Sequence, residues 1–166
     1  RELKELRVAI LTQNFPPELG GGAARSYDLA KNLSLLNNEV DVFCSHPTYP
    51  FGNYKREWFL VKMKKEGNFK IFYVWTWQPI KKEPPFTERL LHYAILPVSI
   101  FSNLVFKKKY DVIIAIAPPL FNSFVGILAS KLRGSKWILD YGDLWVEAGI
   151  DLGFLKRGSL KEKIAR

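Results

Sequence analysis

Apolar positions along the chain come in short bursts separated by polar stretches, and the spacing within the bursts switches between two periods. Arg7–Gln13 (RVAILTQ) is a β-rich apolar run of the kind that fills a strand buried on both faces. Ala23–Asn37 carries Tyr27, Ala30, Leu33 and Leu36 on one stripe, which predicts an amphipathic helix. Glu39–Cys44 (EVDVFC) predicts a second strand, and the alternation in Phe69–Trp75 (FKIFYVW) a third. Phe86–Phe106 reads as a long helix interrupted at Pro97. Asp111–Ala117 (DVIIAIA) predicts a fourth strand, and Leu120–Leu132 a helix of small residues ended by Gly134 as C′ glycine. Lys136–Tyr141 (KWILDY) predicts a fifth strand, and a basic tail, Lys156–Arg166, starts another helix. Strands alternating with helices predict an α/β fold, a Rossmann-like parallel sheet with helices on both faces.

Composition narrows what such a fold does. The 166 residues suit about one domain, large enough to bury a core without a disulfide or metal staple. The lone cysteine, Cys44, excludes an internal disulfide and multi-cysteine metal sites, and is expected to be a small core residue. The net charge of +9 is local: Asn53–Lys82 holds eight basic residues against Glu57 and Glu66. The same segment carries eight aromatics, from Tyr54 to Trp77. That mixture suits an anionic membrane surface, a phosphate-bearing ligand or single-stranded nucleic acid; a solvated face over a half-buried hairpin explains it equally well. Leu90–Phe106 is apolar over seventeen residues but is broken by His92, Pro97 and Asn103 and followed by three lysines. It is expected to be a helix buried on one side and touching lipid on the other, with His92 on its surface, rather than a membrane span.

Ligands of a parallel α/β sheet bind beyond the carboxyl ends of the strands, where strand order reverses. That edge is predicted to be built by Gln13–Gly22 after the first strand, Ala117-Pro118-Pro119 after the fourth and Gly142-Asp143 after the fifth. Gly20, Gly21 and Gly22 open a helix, so backbone can approach a ligand closely and the helix N-terminus favours negative charge; Arg25 lies one turn in. No Gly-Lys-Ser/Thr follows the glycines, which excludes a Walker loop. Strand two ends in Cys44-Ser45-His46 without a ribose-binding carboxylate, which argues against a dinucleotide site. There is no GxSxG nucleophile elbow, and two histidines without HExxH or a cysteine pair argue against a metal. His46, at a strand end facing the cleft, is either a ligand contact or a polar loop residue. The stretch Asp140–Glu147 (DYGDLWVE) holds three carboxylates and two aromatics. It suits a base acting on a hydroxyl beside rings that stack on a sugar; Asp143 as a helix cap with Trp145 in the core, or Asp143 and Glu147 as an acidic pair on one helical face, are the other readings.

Four segments together resemble a known family. Asn14–Arg25 (NFPPELGGGAAR) resembles the N-terminal loop of family 4 (group 1) glycosyltransferases, most of all those building bacterial and archaeal surface polysaccharides. His46–Gly52 (HPTYPFG), Asp111–Leu120 (DVIIAIAPPL) and Asp143–Glu147 (DLWVE, with Val146 where the family usually has proline) resemble its later motifs, in the same order. The resemblance implies one half of a GT-B two-domain architecture, with residues 1–166 as its N-terminal, acceptor-side domain and the donor-binding domain absent from this chain. It implies a retaining transferase needing no metal or other cofactor, with a nucleotide-sugar as co-substrate. The acceptor it implies is a glycan or polyprenyl-phosphate-linked glycan at the inner face of the cell membrane, with no nucleic acid. By the same resemblance Gly20, Gly21, Gly22, Arg25, His46 and Pro118 face the donor diphosphate or acceptor. Asp143, with Glu147 beside it, is the candidate for the acceptor hydroxyl. A fragment of this kind is expected to transfer nothing by itself. The competing class is a non-catalytic nucleotide-, phosphate- or nucleic-acid-binding Rossmann-like module, though no base-reading motif supports it.

Overall fold

Alternate residues of each central strand go to opposite faces of one sheet. The computed structural model describes residues 5–117, 120–142 and 157–158. Its elements run β1 (Arg7–Leu11), α1 (Gly21–Leu35), β2 (Glu39–Ser45), β3 (Val61–Glu66), β4 (Phe69–Val74), α2 (Phe86–Val105), β5 (Val112–Ala117), α3 (Phe121–Arg133) and β6 (Lys136–Tyr141). The six strands lie in the order β3-β4-β2-β1-β5-β6. All neighbours are parallel except the β3–β4 hairpin, in which Val61 pairs with Val74 and Met63 with Phe72.

One core layer gathers Val8, Ile10, Val40, Val42, Cys44, Ile71, Tyr73 and Ile114, with Tyr27, Leu29 and Leu33 of α1 packed over it. The other gathers Ala9, Leu11, Phe43, Phe72, Val74, Ile113 and Ala115 beneath Leu96, Ile100 and Leu104 of α2 and Ala129 of α3. Helices therefore cover both faces, and the near-continuous apolar runs in β1, β2 and β5 follow from burial on both sides. Gly134 closes α3 in the left-handed conformation, φ 62°, its N–H donating to the Ser130 carbonyl as a C′ glycine does. Cys44 is fully buried, as its place on the strand predicts.

Two expectations change. β3 appears where the periodicity gave no strand, because VKMKKE is an edge strand exposed on nearly every residue and has no apolar face to read. The basic segment contains a hairpin, β3–β4, whose outer strand is exposed. His92 is not on the helix surface: it is 2% exposed, its Nδ1 lies 2.8 Å from the Trp77 carbonyl oxygen, and burial pulls its pKa below the usual value. The Thr76 hydroxyl donates to the His92 carbonyl, so the segment after β4 lies over α2 and covers the ring. Among the described residues, no helix is long and apolar enough to cross a membrane.

Candidate functional site

The sheet order places a reversal at β1, which runs back to β2 on one side and forward to β5 on the other. At the carboxyl ends of β1 and β5 lies a cleft of about 390 Å³, lined by Thr12, Asn14, Gly21, Gly22, Arg25, Ile116, Ala117 and Gly142. This is the edge at which ligands of such sheets bind. Three loops widely separated in sequence meet there.

The first loop is held from several sides. Phe15 is buried between Tyr27 and Phe69. The Tyr73 hydroxyl donates to the Pro16 carbonyl and the Tyr54 hydroxyl to the Pro17 carbonyl, at 2.9 and 2.8 Å. The Pro16–Pro17 peptide bond is cis, as is Tyr49–Pro50 in the loop beside it. Glu18 ties the two loops together: one carboxylate oxygen accepts from the Thr48 and Tyr49 amides, at 2.6 and 3.0 Å, and from the Thr48 hydroxyl at 3.0 Å. Burial nevertheless raises the Glu18 pKa, outweighing those hydrogen bonds.

The loop then opens. Gly20 adopts φ 140°, a conformation closed to most side chains, and α1 begins at once. The first helical hydrogen bond runs from the Ala24 amide to the Gly20 carbonyl, so the amides of Gly21, Gly22 and Ala23 have no acceptor inside the helix. A Cβ on Gly21 would meet nothing within 4 Å, and one on Gly22 only Asn14 Nδ2 at 3.8 Å. These glycines leave open space rather than relieve crowding. The Thr12 and Ser26 hydroxyls, 2.9 Å apart, tie the start of α1 to the end of β1.

Arg25 is the one charged residue among the described residues lining the cleft. Its guanidinium forms an ion pair with Asp140 near the end of β6 and lies against Gly142, where a Cβ would stand 2.7 Å from Nη1. The Gly142 amide donates to the Ala117 carbonyl, 3.1 Å, pinning the β6 exit to β5. Arg25 therefore combines a partly exposed positive charge with unpaired helix amides in one concavity, which is chemistry for an anion such as a phosphate.

Gly20, Gly21, Gly22 and Arg25 thus come together, with Gly21, Gly22 and Arg25 on the cleft lining. His46 lies apart from that lining: it is 2% exposed, stacked on Tyr73 with ring centroids 5.8 Å apart, and burial lowers its pKa. Pro118, Asp143 and Glu147 lie outside the described residues. Three participants have roles that their residue types did not name. Asp140 is 115 residues from Arg25, and Glu18 is 30 from Thr48, so only the folded chain joins them. Asn14 belongs to a quoted motif, but nothing in its type singled it out.

No protein-family model matches the chain. In sequence it is similar to the "Putative colanic acid biosynthesis glycosyl transferase WcaI" of Escherichia coli K12, 28% identical over 156 residues. The match covers 92% of this chain and 38% of WcaI, so the chain spans well under half the length of that relative. In structure it is similar to the catalytic domain of starch synthase IV from Arabidopsis thaliana, solved with ADP and acarbose. The TM-score is 0.58 at 13% identity, over 83% of this chain and 34% of that one. The fold is a Rossmann-like half of a GT-B architecture. In this GT-B half the cleft lies where β1 and β5 part, and the glycine turn and Arg25 stand on its α1 side.

Proposed function

We propose that the chain is the N-terminal, acceptor-side domain of a retaining glycosyltransferase resembling family 4, spanning residues 1–166. Its partner domain would hold most of a nucleotide-sugar donor, and the sugar would pass to a glycan or polyprenyl-phosphate-linked acceptor at the inner face of the cell membrane. The observation that carries this reading is the cleft at the strand-order reversal, whose lining brings Gly21 and Gly22, at the helix start where amides have no helical acceptor, together with Arg25. The likeness to WcaI supports a sugar-transfer role in polysaccharide synthesis.

In this reading Gly20, Gly21 and Gly22 let the α1 N-terminus approach the donor diphosphate, and Arg25 supplies a charge-assisted hydrogen bond to it. Asp140 keeps Arg25 extended towards the cleft until phosphate oxygens take over its N–H groups. Asp143 follows directly on Gly142 and is assigned to the acceptor hydroxyl, with Glu147 beside it. An ionised carboxylate there would orient the hydroxyl and accept its proton as the bond from the anomeric carbon to the acceptor oxygen forms on the face where the bond to the diphosphate oxygen breaks, the nucleoside diphosphate leaving.

Calorimetric titration with pyrophosphate and with a uridine diphosphate sugar tests the site. Wild type is expected to bind and Arg25→Gln to bind about tenfold more weakly, as suits loss of a hydrogen bond from a charged donor. Equal binding by Arg25→Gln would remove the cleft from the proposal. Sugar transfer is expected only when the partner domain is present; turnover by the 166-residue chain alone would overturn its assignment as half a site.

A further inference from the structure

The sheet edge remote from the β5–β6 side carries a surface that the cleft does not use. Trp58, Phe59 and Leu60 precede β3 and are exposed by 67, 62 and 76%. On β3 itself, Val61 and Met63 stand opposite Val74 and Phe72, which belong to the core layer beneath α2. Both therefore turn to the α2 side, yet both remain exposed because α2 does not reach over them. Between them and the end of α2 runs an apolar groove of about 440 Å³, lined by Leu60, Val61, Trp75, Ser102, Phe106 and Lys107 among others. Phe106, at its mouth, is 88% exposed.

Lysines flank this apolar strip. Lys65 lies on the same face of β3 as Val61 and Met63, and Lys107, Lys108 and Lys109 follow α2; Lys62 and Lys64, opposite Tyr73 and Ile71, turn to the α1 side, where Lys64 pairs with Glu66. The Lys107 ammonium stands 3.7 Å from the centre of the Phe72 ring. Arg56 lies over the Trp77 ring, 4.1 Å away, and 5.7 Å from that of Trp58, so the tryptophan has a fixed support.

We infer that this face, Trp58–Lys65 with Phe106–Lys108, docks the protein on the anionic leaflet of a bilayer. The inference rests on the proposed function for its biological sense and names the surface that would meet the membrane. Exposed Trp and Phe beside Leu are the residues that settle at the headgroup boundary, and lysines reach from there to anionic headgroups. A second copy of the chain suits the face poorly. Two-fold pairing would bring two copies of the same lysine-rich face together, and lysines along an edge strand discourage strand pairing. A bilayer satisfies both the apolar strip and the charge.

The test is co-sedimentation of the 166-residue chain with vesicles of phosphatidylcholine alone or with about 30% phosphatidylglycerol, at about 50 mM salt. Binding is expected to the anionic vesicles only and to fade in high salt. The pairs W58S/F59S and K65E/K108E are each expected to weaken it at least tenfold, and Arg25→Gln to leave it unchanged. All four substituted positions are exposed; should the aromatic pair misfold by circular dichroism, the lysine pair carries the test. Equal affinity for neutral vesicles, wild-type binding by the folded variants, or a homodimer that W58S/F59S dissociates would each overturn the inference. Pyrophosphate binding without vesicle binding would sink this inference and leave the cleft reading standing. Vesicle binding without pyrophosphate binding would do the reverse.

Discussion

The two halves of the first loop contrast sharply. Asn14–Leu19 is anchored by a buried phenylalanine, two tyrosine hydroxyls and a buried carboxylate with three donors. Gly20–Gly22 is exposed, with nothing near the positions where side chains would begin at Gly20 and Gly21. An open turn can present its amides in a defined place only if the chain before it is fixed. The first half therefore does the positioning that the second half needs for contact.

The strongest way to break the contrast is to remove the anchor. Phe15→Ala deletes a fully buried ring packed between Tyr27 and Phe69 and should cost about 3–5 kcal/mol, read as a lowered denaturation midpoint. A loss below about 1 kcal/mol would show that the loop is not held by its core contact.

Glu18→Ala comes next. It leaves the Thr48 and Tyr49 amides without their acceptor and should cost about 1–3 kcal/mol. Glu18→Gln keeps one acceptor and should cost less, and its pH dependence is informative. Because burial raises the Glu18 pKa, the group's contribution is full below the ordinary carboxylate value and is lost as pH rises through the folded value. Wild type should therefore lose stability relative to Glu18→Gln as pH rises above the ordinary carboxylate value; an opposite slope would mean that the hydrogen bonds outweigh burial.

Gly142→Ala sharpens the comparison from the far wall. Its Cβ would press on the mobile end of Arg25, so the guanidinium swings away from Asp140. Stability should change by less than about 1 kcal/mol, as for an ion pair with one exposed partner, while pyrophosphate affinity falls. Smallest in stability is Gly21→Ala, at an open helical position with ordinary backbone angles. It should stabilise the fold by roughly 0.4–1 kcal/mol and still weaken pyrophosphate binding by crowding the cleft. Unchanged binding would mean that the open half of the loop is not the contact surface.

Legibility in the sequence followed the same division. The parallel strands announced themselves because β1, β2 and β5 are buried on both faces and so read as unbroken apolar runs. The cleft could be located before any coordinates, since alternation alone says at which edge the loops of a parallel sheet converge. β3 stayed hidden because an edge strand carries no burial pattern, and His92 because its cover comes from Thr76 and Trp77, outside its own helix. The Arg25–Asp140 and Glu18–Thr48 pairs are long-range, and a residue type does not name its partner. The acidic motif Asp143–Glu147 remains a sequence argument.

The order of strands also bears on how the protein comes into being. β3, β4, β2 and β1 neighbour one another and are complete by Val74, so a chain emerging from the ribosome can assemble this four-stranded unit first. Until β5 is made, some forty residues later, Arg7–Leu11 is an outer strand with one side unpaired and a single charge, Arg7, at its start. The seam where the cleft will open is thus also an open border of the nascent chain; the arrival of β5 closes that border, and Gly142 beyond β6 completes the cleft.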